Sequence, residues 1–335
     1  MTDADDCTVG EQPDRMRIDR QPVRVRTPCR LHFGMFGFGQ PVGPKYGGVG
    51  LMIEPTAVEA TISAADRFVV VGDHAERARR VAKIVCDRWQ LRGLPPCQIE
   101  IAAPPDHVGL GVGTQLALAV AAGLRRFVKL PTQTAAELST ATGRGRRSAV
   151  GTYGFELGGL IVDAGKLPGE AIGRLAERVA MPDGWRIVLL RHADARGLAG
   201  EREAAAFSHL PAVPTSVTER LWRITYDQML PAAKSADCRA FGEAVYEFGR
   251  LSGSCFAAAQ GGPFASRAIE ELVDAIRAAG VAGVGQSSWG PTVFAVVPDD
   301  DEAQRLVQTL RKRRAVGNLE IAVARPNNVG AVFSE

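Results

Sequence analysis

One stretch restricts what this chain can fold into more than any other. Pro105-Asp106-His107-Val108-Gly109-Leu110-Gly111-Val112-Gly113-Thr114-Gln115 runs straight into Leu116-Ala117-Leu118-Ala119-Val120-Ala121. Three glycines in five residues let the backbone turn tightly and bring successive N–H groups close to a ligand. The helix that follows, read over Thr114–Val128, is apolar nearly all round, which requires burial at the centre of a domain. Its free N–H groups and positive dipole end point at whatever the glycine loop encloses. Gly109, Gly111, Gly113, Thr114 and Gln115 are therefore candidate phosphate-binding residues. A plain turn into a buried helix is the competing reading of this segment on its own.

The remaining periodicities predict an α+β protein of two domains. At 335 residues, 46% of them apolar, the chain can build a substantial core and exceeds the usual single domain. Residues 1–22 mix acids and arginines with few apolar groups and read as a disordered tail. Ordered structure is expected from Val23, with Val58–Ser63 and Phe68–Val71 as a strand pair. Helix Glu76–Leu91 carries Ala78, Val81, Ala82, Val85 and Trp89 on one face. Strand Gln98–Ala102, helix Thr134–Thr142 and strand Gly158–Ala164 complete the first domain, residues 23–182. After Met181-Pro182-Asp183-Gly184 come strand Arg186–Leu190, then helices Val217–Leu230, Cys238–Leu251 and Ser266–Ala279. Strand Thr292–Val297, helix Glu302–Arg313 and strand Leu319–Ala324 follow. This second domain, 183–335, reads as helices covering one face of a sheet.

Charge and cysteine usage narrow the partners. The net charge is only +3 and no long basic run occurs, which argues against nucleic acid and for a small-molecule substrate. Arg144, Arg146 and Arg147, set among Gly143, Gly145 and Ser148, form either a small-anion site or a solvated loop. The six cysteines are scattered with no C-x-x-C pair, as expected of a reducing cytoplasm and no structural metal. No signal sequence opens the chain and no apolar run is long enough to span a bilayer, so no membrane role is expected.

The glycine segment resembles the second motif of the GHMP kinase superfamily, Pro-x-x-x-Gly-Leu-Gly-Ser-Ser before an alanine-rich helix. Ser148-Ala149-Val150-Gly151-Thr152-Tyr153-Gly154-Phe155-Glu156-Leu157-Gly158-Gly159 is similar to the central stretch of that superfamily. Val284-Gly285-Gln286-Ser287-Ser288-Trp289-Gly290-Pro291-Thr292-Val293 is similar to its C-terminal glycine motif. The resemblance implies the two-domain GHMP-kinase fold, a ribosomal-protein-S5-like domain followed by a ferredoxin-like α+β domain. Two departures argue against phosphoryl transfer. Val112-Gly113 stands where Ser-Ser helps to hold magnesium and phosphate, and Gly151 stands where many of the kinases place a catalytic aspartate.

Further segments narrow the resemblance. They are Thr27-Pro28-Cys29-Arg30-Leu31-His32-Phe33-Gly34, Tyr46-Gly47-Gly48-Val49-Gly50, Gly143-Arg144-Gly145-Arg146-Arg147-Ser148 and Gln286-Ser287-Ser288-Trp289-Gly290-Pro291. Together with the glycine loop they resemble the β-ribofuranosylaminobenzene 5′-phosphate synthase family of methanopterin biosynthesis. The resemblance implies condensation of 5-phosphoribosyl-1-pyrophosphate with 4-aminobenzoate or 4-hydroxybenzoate, with loss of carbon dioxide and pyrophosphate and with Mg2+ assisting. A homodimer is also expected. The alternatives are an ATP-dependent kinase of a small alcohol, or an inert ligand-binding protein that kept the fold.

Candidate roles follow from side-chain chemistry. Arg144, Arg146, Arg147 and Ser148 would hold pyrophosphate together with the two glycine loops. Arg30 and His32 share a strand face. Arg30 would bind a carboxylate or phosphate, while His32 either assists proton transfer at the ring or is a hydrogen-bonded structural histidine. His107 either donates to a phosphate or caps its loop. In the second glycine loop, Gly285, Gln286, Ser287, Ser288 and Gly290 would close over the phosphates. Trp289 would stack on the aromatic acid or pack at the domain interface. Glu156 is a candidate catalytic carboxylate, and Glu156, Asp163 and Glu203 are candidate magnesium ligands, with pairing to an arginine as the alternative role of Glu156 and Glu203.

Overall fold

The computed structural model describes residues 21–193, 195, 197, 207, 209–312 and 319–334. The tail expected over 1–22 and the candidate Glu203 lie outside them, save Gln21 and Pro22. The spine of the molecule is an antiparallel pair, β1 (Val23–Gly37) and β2 (Tyr46–Ala64). β1 begins as an alternating strand, Val23 and Val25 inward and Arg24 and Arg26 outward. From Thr27 both faces are largely covered, which is why the sequence there loses its period of two. The register shifts after Pro28, which has no N–H to give the ladder, and again between His32 and Gly34.

Next come β3 (Val69–Gly72), helix α1 (Ala75–Arg88) and β4 (Cys97–Ala102). The expected direct pairing of 58–63 with 68–71 does not form. β4 lies between, antiparallel to β2 and parallel to β3. The cause is α1, because a helical crossover returns the chain parallel to the strand it left. α2 (Val112–Phe127) is capped by Gly111 at φ 71° and has all-round burial through Leu116, Ala117, Leu118, Ala119, Val120 and Ala121. Gly123 brings it so near β1 and β2 that a side chain there would collide with Ile62 and Val25.

α3 (Ala135–Ala141) starts at a Thr134/Glu137 capping box. α4 (Val150–Leu157) has no helical signature in the sequence, since Gly151 and Gly154 are poor helix formers. Gly154 is nonetheless required, because Met52 occupies the space a side chain would need. β5 (Leu160–Asp163) then pairs with β2, and β6 (Leu175–Val179) with β5.

The second half contributes β7 (Arg186–His192), α5 (Thr215–Arg223), a π-helical turn (Ile224–Met229) and short helix α6 (Leu230–Lys234). It continues with α7 (Cys238–Ser254), α8 (Arg267–Ala278), β8 (Gly283–Gln286), β9 (Val293–Val297), α9 (Asp300–Arg311), β10 (Leu319–Pro326) and β11 (Val332–Ser334). The main strand order is β11-β1-β2-β10-β7-β9-β8. β10 joins the halves, pairing with β7 along its length and with β2 at Arg325 and Pro326.

α8 and α9 cover one face of the second half, where Ile269, Val273, Ile276, Leu306 and Leu310 meet Val188, Leu190, Val293 and Ala295. The expectation of one covered face is corrected by α7. Its Phe241, Val245 and Phe248 pack on the opposite face with Phe33, Leu189 and Phe294. That is why β7 and β9 are continuous apolar runs rather than alternating ones. β11 pairs with β1, so the chain's last described residues leave the 183–335 unit and complete the first half. Among the described residues, no helix is long and apolar enough to cross a membrane.

Candidate active site

β1 ties together the two glycine turns. The Arg30 N–H donates to the Leu110 carbonyl at 2.9 Å. Two residues on, the His32 N–H donates to Ser287 Oγ at 3.0 Å, and the Ser288 N–H donates to the His32 carbonyl at 3.0 Å. Ser287 Oγ in turn donates to the Gly109 carbonyl at 2.6 Å, and Thr292 Oγ1 to the Val108 carbonyl at 2.5 Å. The turns around Gly109 and Gly290 therefore lie back to back. Ser287 is fully buried and holds them together rather than facing a ligand.

The result is one cleft of about 520 Å3. Its floor is Gly109, Gly111, Gly113 and Thr114, where α2 begins. Ser288, Trp289 and Gly290 form one wall, and His107 sits on the rim with a left-handed φ of 62°. Among the described residues four guanidinium groups line it, those of Arg30, Arg77, Arg144 and Arg147, against a single carboxylate, Asp106. Asp106 is already engaged, 2.5 Å from Arg77 Nη1 and 3.1 Å from His74 Nδ1. Burial and the nearby Arg77 both lower the pKa of Arg144, with Asp106 opposing them. An anion seated at the start of α2 would relieve that crowding of like charge.

A second, aromatic-walled pocket adjoins the first through Ser288 and Trp289, which line both. Trp289 stacks on Phe207 with ring centroids 5.0 Å apart and meets Phe256 edge-on at 5.2 Å. Arg147 lies over the Phe207 ring, 4.5 Å from its centroid. Phe33, Met35, Phe264 and Gln286 complete the wall, and His32 lines the pocket as well. His32 is 3% exposed, and burial, aided by the charge of Arg30, drives its pKa well below the ordinary 6.5, so the ring is neutral.

Several candidate residues do not line the guanidinium-rich cleft. Gln115 is buried, and its Nε2 donates to the Gly151 carbonyl at 2.7 Å. Arg146 is exposed and does not line the cleft. Gly285 lies in β8 against the Phe294 ring, and Gln286 bridges the Ala265 N–H and the Ser288 carbonyl. Ser148 faces His32 rather than the phosphate cleft, 3.2 Å from its Nε2.

Glu156 lies away from the cleft. It accepts from the Ala135 N–H at the start of α3 and lines a separate groove with Arg125 and Arg126. It stands six residues along α4 from Val150, about 9 Å at 1.5 Å per residue, and so on the wrong end of the helix. Asp163 is fully buried and takes two backbone N–H donors, which leaves it behind the cleft. Sequence reasoning missed Arg77. The available signal was the pair Arg77 and Arg80, one turn apart on the polar face of α1.

The fold and the paired glycine turns define a GHMP-kinase-type protein. Residues 229–315 match the family described as GHMP kinases C terminal. The chain overlays homoserine kinase from Cytophaga hutchinsonii with a TM-score of 0.64 at 15% identity, over 96% of this chain and 99% of that one. Mevalonate diphosphate decarboxylase from Staphylococcus aureus overlays with a TM-score of 0.68 at 13% identity, over 94% and 98%. Sequence relatives are more specific. The beta-ribofuranosylphenol 5′-phosphate synthase of Archaeoglobus fulgidus is 31% identical over 86% of this chain and 91% of its own length. The synthase of the same name from Methanothermobacter thermautotrophicus is 31% identical over 82% and 88%. This chain belongs to the beta-ribofuranosylphenol 5′-phosphate synthase family.

Proposed function

We propose that this protein condenses 5-phosphoribosyl-1-pyrophosphate with 4-hydroxybenzoate or 4-aminobenzoate. Carbon dioxide and pyrophosphate leave, and a β-C-riboside 5′-phosphate of the methanopterin pathway forms. The observation that carries this reading is the junction of a guanidinium-rich cleft with an aromatic pocket across Trp289 and Ser288. Family membership supports it independently.

The bond from the ribose C1 to the pyrophosphate oxygen breaks, its electron pair leaving with pyrophosphate. The ring carbon bearing the carboxylate bonds to C1. The electron pair of the carboxylate bond then returns to the ring as carbon dioxide departs. Negative charge grows on the leaving group, where the N–H groups at the start of α2 and the guanidinium groups of Arg30, Arg77 and Arg144 would meet it. Each charge-assisted hydrogen bond there contributes about 1.5–3 kcal/mol. Trp289, Phe207 and Phe256 would hold the aromatic ring, and neutral His32 would accept from its 4-substituent.

Among the described residues no cluster of three acidic, His or Cys side chains forms a metal cage, and Asp106 is the cleft's one carboxylate. That donor set suits a magnesium ion brought in on the substrate's phosphates. Bound there, magnesium would supply charge neutralisation of pyrophosphate. A cytoplasmic homodimer completes the reading, and light scattering tests its oligomeric part.

The deciding experiment follows label from carboxyl-14C 4-hydroxybenzoate and 4-aminobenzoate. We expect carbon dioxide release that requires 5-phosphoribosyl-1-pyrophosphate and matches pyrophosphate one for one. No release from either acid refutes the proposal, and ATP-dependent phosphorylation of a small alcohol in its place would establish a kinase.

A further inference from the structure

Two guanidinium groups converge on the first turn of α2. A Cβ added to Gly113 would lie 3.0 Å from Arg77 Nη1, 3.6 Å from Arg144 Nη2 and 3.7 Å from Arg144 Nη1. Gly113 is not among the glycines with positive φ, so its backbone does not call for glycine, and glycine weakens a helix. What the missing side chain provides is room for two cations beside the unpaired N–H groups of the helix start. Like charges this close repel, so a partner has to hold Arg77 in place. That partner is Asp106, whose Oδ1 accepts from Arg77 Nη1 at 2.5 Å. His74 backs Asp106, with Nδ1 3.1 Å from Oδ2 and Nε2 2.8 Å from the Pro104 carbonyl. The neighbouring Asp73 binds the same segment. Its N–H donates to the Ile101 carbonyl at 2.8 Å, and its Oδ2 accepts from the Ala103 N–H at 3.0 Å. The entries to α1 and α2 are thus stitched together, and Asp106 stands at the end of the seam that lines the cleft.

We propose that Asp106 is a positioning residue that acts through Arg77, aiming its guanidinium at Gly113 so that Arg77 and Arg144 grip one phosphoryl group from two sides. That this group belongs to the pyrophosphate of 5-phosphoribosyl-1-pyrophosphate rests on the condensation reading; the role of Asp106 does not. By its charge alone, a carboxylate beside an anion site opposes the anion. Its presence in the cleft is accounted for when the order it gives Arg77 outweighs that repulsion. An arginine already held in place loses little freedom when the anion arrives, and its charge-assisted bond forms with good geometry.

The sign of one substitution tests this. Inorganic pyrophosphate is titrated calorimetrically in EDTA, so that neither turnover nor a metal held by Asp106 contributes. Charge alone predicts tighter binding in Asp106→Asn. Positioning predicts weaker binding, by about threefold or more, the low range for one lost hydrogen bond. In an Arg77→Ala background the same substitution should no longer weaken binding, because the group it acts through is gone. Unchanged or tighter binding in Asp106→Asn, or equal weakening in both backgrounds, overturns the proposal. So does a parent protein that binds no pyrophosphate. Gly113→Ala puts a methyl group where the guanidinium groups converge. It should weaken pyrophosphate binding about threefold or more without lowering the thermal midpoint, since alanine favours the helix. Unchanged affinity in that variant removes the two-sided grip. In turnover, Asp106→Asn should raise KM for 5-phosphoribosyl-1-pyrophosphate and leave KM for the aromatic acid within about twofold, whereas a loss confined to kcat overturns the role. Absence of carbon dioxide release by the parent protein would refute the condensation reading alone, and the pyrophosphate titrations would still decide the role of Asp106.

Discussion

Gly290 lies directly against Gly109, and a methyl group added to Gly290 would overlap the Gly109 backbone. The contact welds a turn from the second half of the chain to the loop that opens α2. Gly290→Ala should therefore push the two turns apart. Overpacking of this kind costs about 1–3 kcal/mol. Denaturant melts should show that loss, and binding of 5-phosphoribosyl-1-pyrophosphate should fall along with it.

Arg144 and Arg146 offer a paired test of the cleft. Arg144→Ala removes a partly buried cation at the start of α2 and should weaken 5-phosphoribosyl-1-pyrophosphate binding by roughly 10- to 100-fold, about 1.5–3 kcal/mol. Arg146→Ala removes an exposed side chain outside the cleft and should change affinity by less than about twofold. Calorimetric titration of both variants separates a site from a generally basic loop.

Stability should depend on pH through two buried groups of opposite sign. His32 has a folded pKa well below 6.5, so the unfolded chain takes up its proton first as pH falls. Its neutral burial stabilises the fold above pH 6.5 and that contribution is lost below it, by up to about 1.4 kcal/mol per pH unit. Asp163, raised by burial from 3.8 to about 6, does the reverse. Its contribution is fullest below pH 4 and is lost as pH rises through about 6. Urea melts of the parent protein and His32→Gln between pH 5 and 7 isolate the first effect. The parent protein should lose ground to the variant as the solution is acidified.

Glu156→Gln should leave turnover unchanged. Its carboxylate serves the N-terminus of α3, so the expected cost is about 0.3–1 kcal/mol of stability. A large fall in kcat at constant stability would return Glu156 to the reacting centre.

Much of the architecture is legible along the chain because it depends on local chemistry. The glycine turn before α2, the capping box at Thr134 and Glu137, and the apolar stripe of Ile269, Leu272, Val273 and Ile276 are each set by neighbours within a turn or two. α4 escaped that reading because its two glycines are poor helix formers, and only Met52, more than a hundred residues away, explains the second. The arginines divided in the same way. Arg144 and Arg147 are announced by their glycine neighbours, whereas Arg77 reaches the cleft only because α1 packs beside α2.

What the order of residues determined by itself was the set of elements and the two glycine turns, since backbone freedom and apolar period are properties of short segments. The tertiary structure alone decided which groups meet. β1 carries the turn before α2 and the turn after β8 on residues two apart. α4 brings Ser148 to His32 and takes Glu156 away to α3. Contacts between segments more than a hundred residues apart are fixed by packing the whole sheet, and no local pattern encodes them.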